Sequence, residues 1–243
     1  MRLLTPLRRL LGVALFIAIP ISREWSSHVL RFVSAIWVII PFYAFGGEAL
    51  ATHALIGALI NMVFSTCIYS AYEEVLYSIE GIRDFFLASP LTDLEFRAGL
   101  SLGIFLTTLP SIVICLVPLF ILTKSGPSEV VLIIMMLSIL WAVSTLIGYL
   151  IPIRKNVLAT GNVIRVLTLV LVAIPPVYYP LHVWPEQIRP LTYLFPTFNI
   201  AELMKLTLKI EPPTPQHTAT TATALAIEAA IITLIALKHT KHS

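Results

Sequence analysis

Glu73 and Glu74 stand in tandem at the end of an apolar run, and paired carboxylates are residue types that activate water in hydrolysis. Intramembrane proteases built on such a pair follow the pattern E-E-x-x-x-R, but Ser78 occupies the arginine position. A serine protease of the membrane interior would need G-x-S-G and a histidine on another span, and no such stretch exists. The six histidines, His28, His53, His182, His217, His239 and His242, fall near the ends of apolar runs or between them, so a metal site is not expected. Cys67 and Cys115 lie singly inside apolar runs, with neither disulfide nor metal-ligand spacing. No G-x-x-x-x-G-K-[ST] loop is present to cradle phosphates. The sequence therefore points to a chain without catalytic, cofactor-binding or metal-binding residues.

Two charges inside apolar runs remain to be placed. Arg165 lies ten residues after Lys155, and Glu228 ten residues before Lys238, so both reach about 15 Å from the same membrane boundary at about 1.5 Å per residue. An ionised glutamate at that depth costs at least about 2 kcal/mol unless it is paired or faces water. Either Arg165 and Glu228 pair, or Arg165 snorkels to the boundary and Glu228 stays protonated.

The elements that must hold these residues are set by composition. Of the 243 residues 58% are hydrophobic and only 12% charged, with a mean hydropathy of +0.91, against roughly 25% charged residues in a soluble domain. This is an all-α polytopic membrane protein with a single domain over 1–243. Six spans of about 20 residues fit: Val29 to Gly46, Leu50 to Tyr72, Ala98 to Leu122, Val130 to Ile153, Val157 to Val177 and Thr218 to Leu237. With both termini cytoplasmic, the inside basic residues are Arg2, Arg8, Arg9, Arg23, Arg31, Arg83, Arg97, Arg154, Lys155, Arg165, Lys238 and Lys241, twelve against four outside, Lys124, Arg189, Lys205 and Lys209. That bias favours this orientation. The net charge of +3 comes from residues beside apolar runs, so nucleic acid is not an expected partner.

Residues 1–27 carry Arg8-Arg9 and then LLGVALFIAIP, an arrangement shared with signal peptides. No small-x-small cleavage pattern follows Pro20, and Leu10 to Ile21 is short for a crossing. An interfacial helix on the membrane lipid, with Arg23 and Trp25 near the headgroups, is the reading preferred here. Pro212, Pro213 and Pro215 stop the chain before the last span.

Residues 73–97 form the long loop after the second span. Val75, Ile79, Ile82 and Phe86 recur at helical steps, with Glu73, Tyr77, Glu80 and Asp84 roughly opposite. The spacing predicts one short amphipathic helix ended by Ser89-Pro90. Thr92 and Glu95 then form the pattern of a capping box for the third span. Such a helix either reverses the chain or couples it to a soluble partner, in which case Glu73, Glu74, Tyr77, Glu80, Asp84, Phe85 and Phe86 are the candidate contacts. Gly99 and Gly103 nearby are spaced to admit another helix closely.

Between the fifth and sixth spans, residues 178–211 open with YYPLHVWPEQIRPLTYLFPTFNIAELMK. Tyr178, Tyr179, Trp184 and Tyr193 belong to membrane interfaces, and Pro185 and Pro196 suit the first turns of helices. Non-helical backbone at depth survives only where protein or a water-filled cavity covers it. The segment is therefore a candidate outer gate, with Tyr178, Tyr179, Pro180, Trp184, Pro185, Glu186 and Pro196 as its residues, or else an aromatic surface loop.

In the order of these parts, namely a lead-in helix, six spans, a loop ending in SPLTDLEFRAG, and an aromatic-Pro-Leu segment followed by Pro-Glu and Leu194-Phe195-Pro196, the chain resembles the permease of an ABC-2 type transporter. The resemblance implies re-entrant outer half-helices, pairing with itself or with a second permease, and docking on a separate ATP-binding cassette subunit that carries ATP and Mg. It also implies export across the plasma membrane. A haem-exporter-type membrane subunit is a close variant of that reading. An ATP-independent six-span carrier or channel is the alternative, although carriers built from inverted repeats break helices in both halves and this chain has one such segment.

Overall fold

A computed structural model describes residues 4–23, 25–151, 156–212 and 214–240. Arg2, Arg154, Lys155 and Lys241, used above for orientation, lie outside the described residues, as do Ile153, Pro213 and His242 and the side chains of Trp25, His28, Arg31 and His239. Among the described residues every regular element is helical.

Helix α1 (Leu4–Ser22) is followed by α2 (Trp25–Ile68), which is interrupted at Gly47 with φ 60° and ψ −151°. Only glycine enters that backbone region at low cost, so the chain breaks between 25–46 and 48–68, where the first two predicted spans part. The front half leaves Trp37, Tyr43 and Phe45 exposed. The back half is the central post of the molecule: every residue from 51 to 60 is buried. Helices α5 (Asp93–Thr123), α6 (Pro127–Tyr149) and α9 (Pro196–Thr207) pack on it.

The loop after α2 folds as α3 (Ser70–Ile79) and α4 (Ile82–Leu87). The predicted single helix is thus broken at Gly81, which takes φ 75°, a left-handed turn open to glycine. The Val75, Ile79, Ile82, Phe86 stripe is split accordingly: Val75 is buried, and Ile79 is exposed. The predicted capping box does form. Thr92 Oγ1 accepts from the Glu95 amide at 3.2 Å, and Glu95 Oε2 accepts from the Thr92 amide at 2.8 Å, satisfying two amides that a helix start otherwise leaves unpaired.

Helix α7 (Val157–Thr168) widens into a π-turn at Leu169–Ala173 and then loses regularity. Pro175 and Pro176 explain the end, since neither supplies an amide to the preceding turn. A 3₁₀ turn (Leu181–Val183), α8 (Arg189–Thr192), α9 and α10 (Pro215–Thr240) complete the chain.

Four helices among the described residues are long and apolar enough to cross a membrane, Ile39–Ile79, Asp93–Thr123, Pro127–Tyr149 and Pro215–Ala236. The protein is compatible with a multi-pass membrane location on that basis. Val157–Ala173 is a shorter apolar helix of about 26 Å, below the roughly 30 Å hydrocarbon thickness. The predicted 29–46 span is the front half of α2.

Candidate functional site

The α3–α5 loop and the 174–211 segment lie at opposite ends of the bundle. His53 and Glu73 are twenty residues apart along α2 and α3, about 30 Å of helix, and His53 faces Glu211 at 3.9 Å, whereas Glu73 belongs to the loop end.

At the loop end, Glu74 turns inward rather than toward a partner, correcting its place among the candidate contacts. It is 2% exposed and accepts from Arg97 Nε at 2.8 Å, with Arg83 Nε at 3.6 Å. Asp93 joins both arginines, at 2.6 Å to Arg83 and 3.1 Å to Arg97, and the Arg97 guanidinium lies 5.6 Å from the Tyr149 ring centroid. Two acids and two bases thereby fasten α3, α4 and α5 together. Removing one partner of the buried Glu74–Arg97 pair costs about 3–5 kcal/mol, and the more exposed Asp93 and Arg83 contribute less. Glu73 and Tyr77 are half-buried, and Glu80, Asp84 and Phe85 are exposed.

Phe86 packs instead of facing water, 5.2 Å from Phe16 and 5.5 Å from Phe96 between ring centroids. Its neighbour α1 lies on α5 through Val13, Ala14 and Ile17. The close approach requires the two glycines: a Cβ on Gly99 would stand 2.8 Å from the Leu10 carbonyl oxygen, and one on Gly103 2.7 Å from that of Ala14. Lead-in helix, loop and α5 form one packed unit, with a groove of about 490 Å³ between Arg9, Gly12, Phe85 and Ala88.

At the other end, side chains replace missing main-chain partners. Pro175 cannot donate to the Leu171 carbonyl, and Thr197 Oγ1 donates to it in a very short contact. Lys205, 0% exposed, donates from Nζ to the carbonyls of Pro176 at 3.1 Å and Tyr179 at 3.0 Å, and lies 3.4 Å from Glu202 Oε2. Arg189 donates to the carbonyls of Trp184 at 2.9 Å and His182 at 3.1 Å, with Glu186 3.8 Å away. Trp184 Nε1 donates to the Tyr179 hydroxyl at 2.9 Å. Tyr178 sits against Gly57, whose absent side chain leaves the room, a Cβ there standing 2.3 Å from the ring.

Pro196 occupies the first turn of α9, as predicted. Pro185 does not begin a helix: its carbonyl accepts from Ile188 at 3.1 Å in a turn, and α8 starts later, with Pro190 in its first turn. Pro180 is the N-cap of the 3₁₀ turn.

Glu202, also 0% exposed, accepts or shares a proton with His217 Nε2 at 2.9 Å, and His217 Nδ1 meets the Tyr193 hydroxyl at 2.9 Å. Burial opposes the charge on Glu202, but the His217 hydrogen bond and the Lys205 charge outweigh it and hold the carboxyl down at about 2. Burial lowers Lys205 from the usual lysine range, against the pull of Glu202. Glu211 is pushed up to about 7, by burial first and by the Glu202 carboxylate second. This cluster escaped the sequence reading, which placed Lys205 in an outer loop. Its only signal was Glu202 and Lys205 one helical turn apart, a spacing that ordinary surface pairs share.

Glu228 makes no ion pair with Arg165 among the described residues: Asn199 Nδ2 donates to its Oε2 at 2.8 Å, a contact open to either protonation state of the carboxyl. Arg165 is exposed on α7, and no carboxylate lies within 4 Å of it among the described residues.

No protein-family model matches the chain, and no curated protein matches it.

Proposed function

We propose that this chain is the membrane subunit of an ABC-2 type exporter, acting as a homodimer or with a second permease and driven by a separate ATP-binding cassette subunit. The observation that carries the reading is the 174–207 segment. Residues 175–180 and helix α9 are buried or half-buried, whereas 182–191 stay mostly exposed; the freed carbonyls are met by Thr197, Lys205 and Arg189, as non-helical backbone near a membrane requires. On this reading the segment is an outer re-entrant gate. Six spans require the front half of α2 to cross as the first span and Val157–Ala173 to complete its crossing through the residues up to Val177.

The motor docks at the other end, in the cytosol together with both termini, and the location is the plasma membrane. Glu80, Asp84 and Phe85 project from a unit fastened to α5 by Glu74, Arg83, Asp93 and Arg97. A push on that unit therefore moves a spanning helix rather than a loose loop. ATP and Mg belong to the motor, and this chain has no catalytic role. Coexpression with ATP-binding subunits of the same genome tests the reading. A complex whose ATPase responds to Asp84→Lys supports it. Absence of any such complex, with pH-driven transport by the chain alone in vesicles, would overturn it.

A proton-coupled carrier is the second reading, favoured by one observation: Glu202, Glu211, His217, His53 and Lys205 gather titratable groups inside the protein. The same vesicle experiment separates the two.

A further inference from the structure

Arg165 and the π-turn after it define a site that the gate and the coupling loop do not use. A groove of about 440 Å³ runs between the back half of α2 and α7, within the size range of small-molecule sites. Asn61, Ser65 and Tyr69 line one wall, and Arg165, Leu169 and Val172 the other, with Tyr178 also in its lining. Two features set this groove apart from a crevice that hydrocarbon tails fill without selectivity.

The first is a charge with no counter-ion among the described residues. Arg165 forms no ion pair or hydrogen bond among the described residues, and the Asn61 amide across the groove also has no hydrogen-bonding partner there. A basic side chain within a membrane helix is costly unless something pairs with it. The acid expected from the sequence, Glu228, is already engaged by Asn199. The second feature is the π-turn itself. Leu169–Ala173 leaves the α-helical register at the groove wall, and single π-turns within helices frequently mark functional sites. Its residues Leu169, Val172 and Ala173 make that wall apolar.

We infer that this groove binds an amphipathic anion, its negative group on Arg165 with Asn61 donating beside it, and its apolar chain along Leu169, Val172 and Ala173. Calling that ligand the cargo rests on the exporter reading; binding itself does not. A guanidinium offers several donors in a planar fork suited to phosphate, sulfate or carboxylate, and the half-buried Asn61 supplies an amide where water is scarce. The apolar wall excludes a small inorganic anion as the best occupant, because most of the groove would then stay unfilled. The shared chemistry is an anionic head on an aliphatic tail, from either a bilayer lipid or a free amphiphile.

The test is equilibrium binding of radiolabelled dodecyl phosphate to the purified full chain in phosphatidylcholine nanodiscs, with no motor subunit present. Saturable binding is expected, at least tenfold weaker in Arg165→Gln, partly recovered in Arg165→Lys and unchanged in Arg23→Gln. Asn61→Leu should weaken it less than Arg165→Gln. Competition by phosphatidylglycerol placed in the nanodisc identifies a bilayer lipid as the source, and competition by soluble alkyl sulfates identifies a free amphiphile; either supports the site. Equal binding of dodecyltrimethylammonium, or undiminished binding in a monodisperse Arg165→Gln protein, would overturn it. Dodecyl phosphate binding that fails to alter the ATPase of any reconstituted complex would leave the site standing and count against the exporter reading alone.

Discussion

Lys205 satisfies two main-chain carbonyls and faces a buried carboxylate, so its loss exposes three groups to an environment that cannot hydrate them. Lys205→Met should lower stability by about 3–5 kcal/mol, the range for breaking a buried charged pair from one side. Adding Glu202→Gln should recover part of that loss by removing the stranded charge. Thermal unfolding of the two variants beside the parent measures both effects, and a parent-like melting point for Lys205→Met would refute the role. Glu211 gives a pH signature. Its carboxyl is raised from 4.5 to about 7 in the folded protein, by burial and then by Glu202, so the folded state holds a proton that the unfolded state releases earlier. Its stabilising contribution is therefore complete below about pH 4.5 and lost as pH rises through about 7. Unfolding followed from pH 5 to 8 should show the stability of the parent relative to Glu211→Gln falling over that window, the comparison removing the titration of its neighbours His53, His217, Lys205 and Glu202 that both proteins share. Little of this was legible beforehand. Lys205 and Glu202 read as a surface pair because sequence periodicity reports which face a residue occupies on its own helix, not that α9 is enclosed by α2, α6 and α10.

The elements were more legible where the signal was local. Thr92 and Glu95 lie three residues apart, and their reciprocal bonds concern only that turn, so the capping box could be read without tertiary knowledge. Pro196 followed in the same way. The loop helix failed at Gly81 because a stripe of Val75, Ile79, Ile82 and Phe86 tolerates one glycine in pattern, whereas the backbone there turns left-handed. That break divides the loop by role. Glu74 fastens it inward, while Glu80 and Asp84 remain available outside. Charge reversal at Glu80 and Asp84 should thus reduce binding of an ATP-binding subunit without shifting the melting point, and Arg97→Ala should lower the melting point first. A pull-down paired with unfolding curves distinguishes them; equal destabilisation by both would show the loop to be purely structural. At α1, Gly99→Val should push the lead-in helix off α5, since even its Cβ meets Leu10 and Val13 at under 3 Å. The expected readout is faster proteolysis near Ser22 at unchanged folding of the remaining helices, and protection equal to the parent would count against α1 docking.

At the scale of the whole molecule, hydropathy identified the long apolar helices that make the chain compatible with a membrane but could not count crossings. Its windows see apolar length, and both doubtful spans are compromised in other ways: Gly47 kinks α2 behind the first, and Pro175 with Pro176 ends α7 while it is still about 26 Å long. The two ends of the bundle nevertheless make a sharp test possible. The α3–α5 loop and the 174–211 segment are separated by the full length of α2's back half and α3, so a bundle in a membrane must expose them on opposite sides. Ser89 and Gln187 are exposed at those ends. Single cysteines placed there, on a background with Cys67 and Cys115 replaced by serine or alanine, should react with a membrane-impermeant maleimide from the cytoplasmic side only for Ser89→Cys and from the outer side only for Gln187→Cys. The front half of α2 adds the decisive third position. If it crosses as the first span, a cysteine at Glu48, beside the Gly47 break, labels from the same side as Gln187, while one at Ser22 labels with Ser89. Labelling of Glu48→Cys and Ser22→Cys from one side would mean that the front half of α2 lies along the surface, and the six-span arrangement would fall with it.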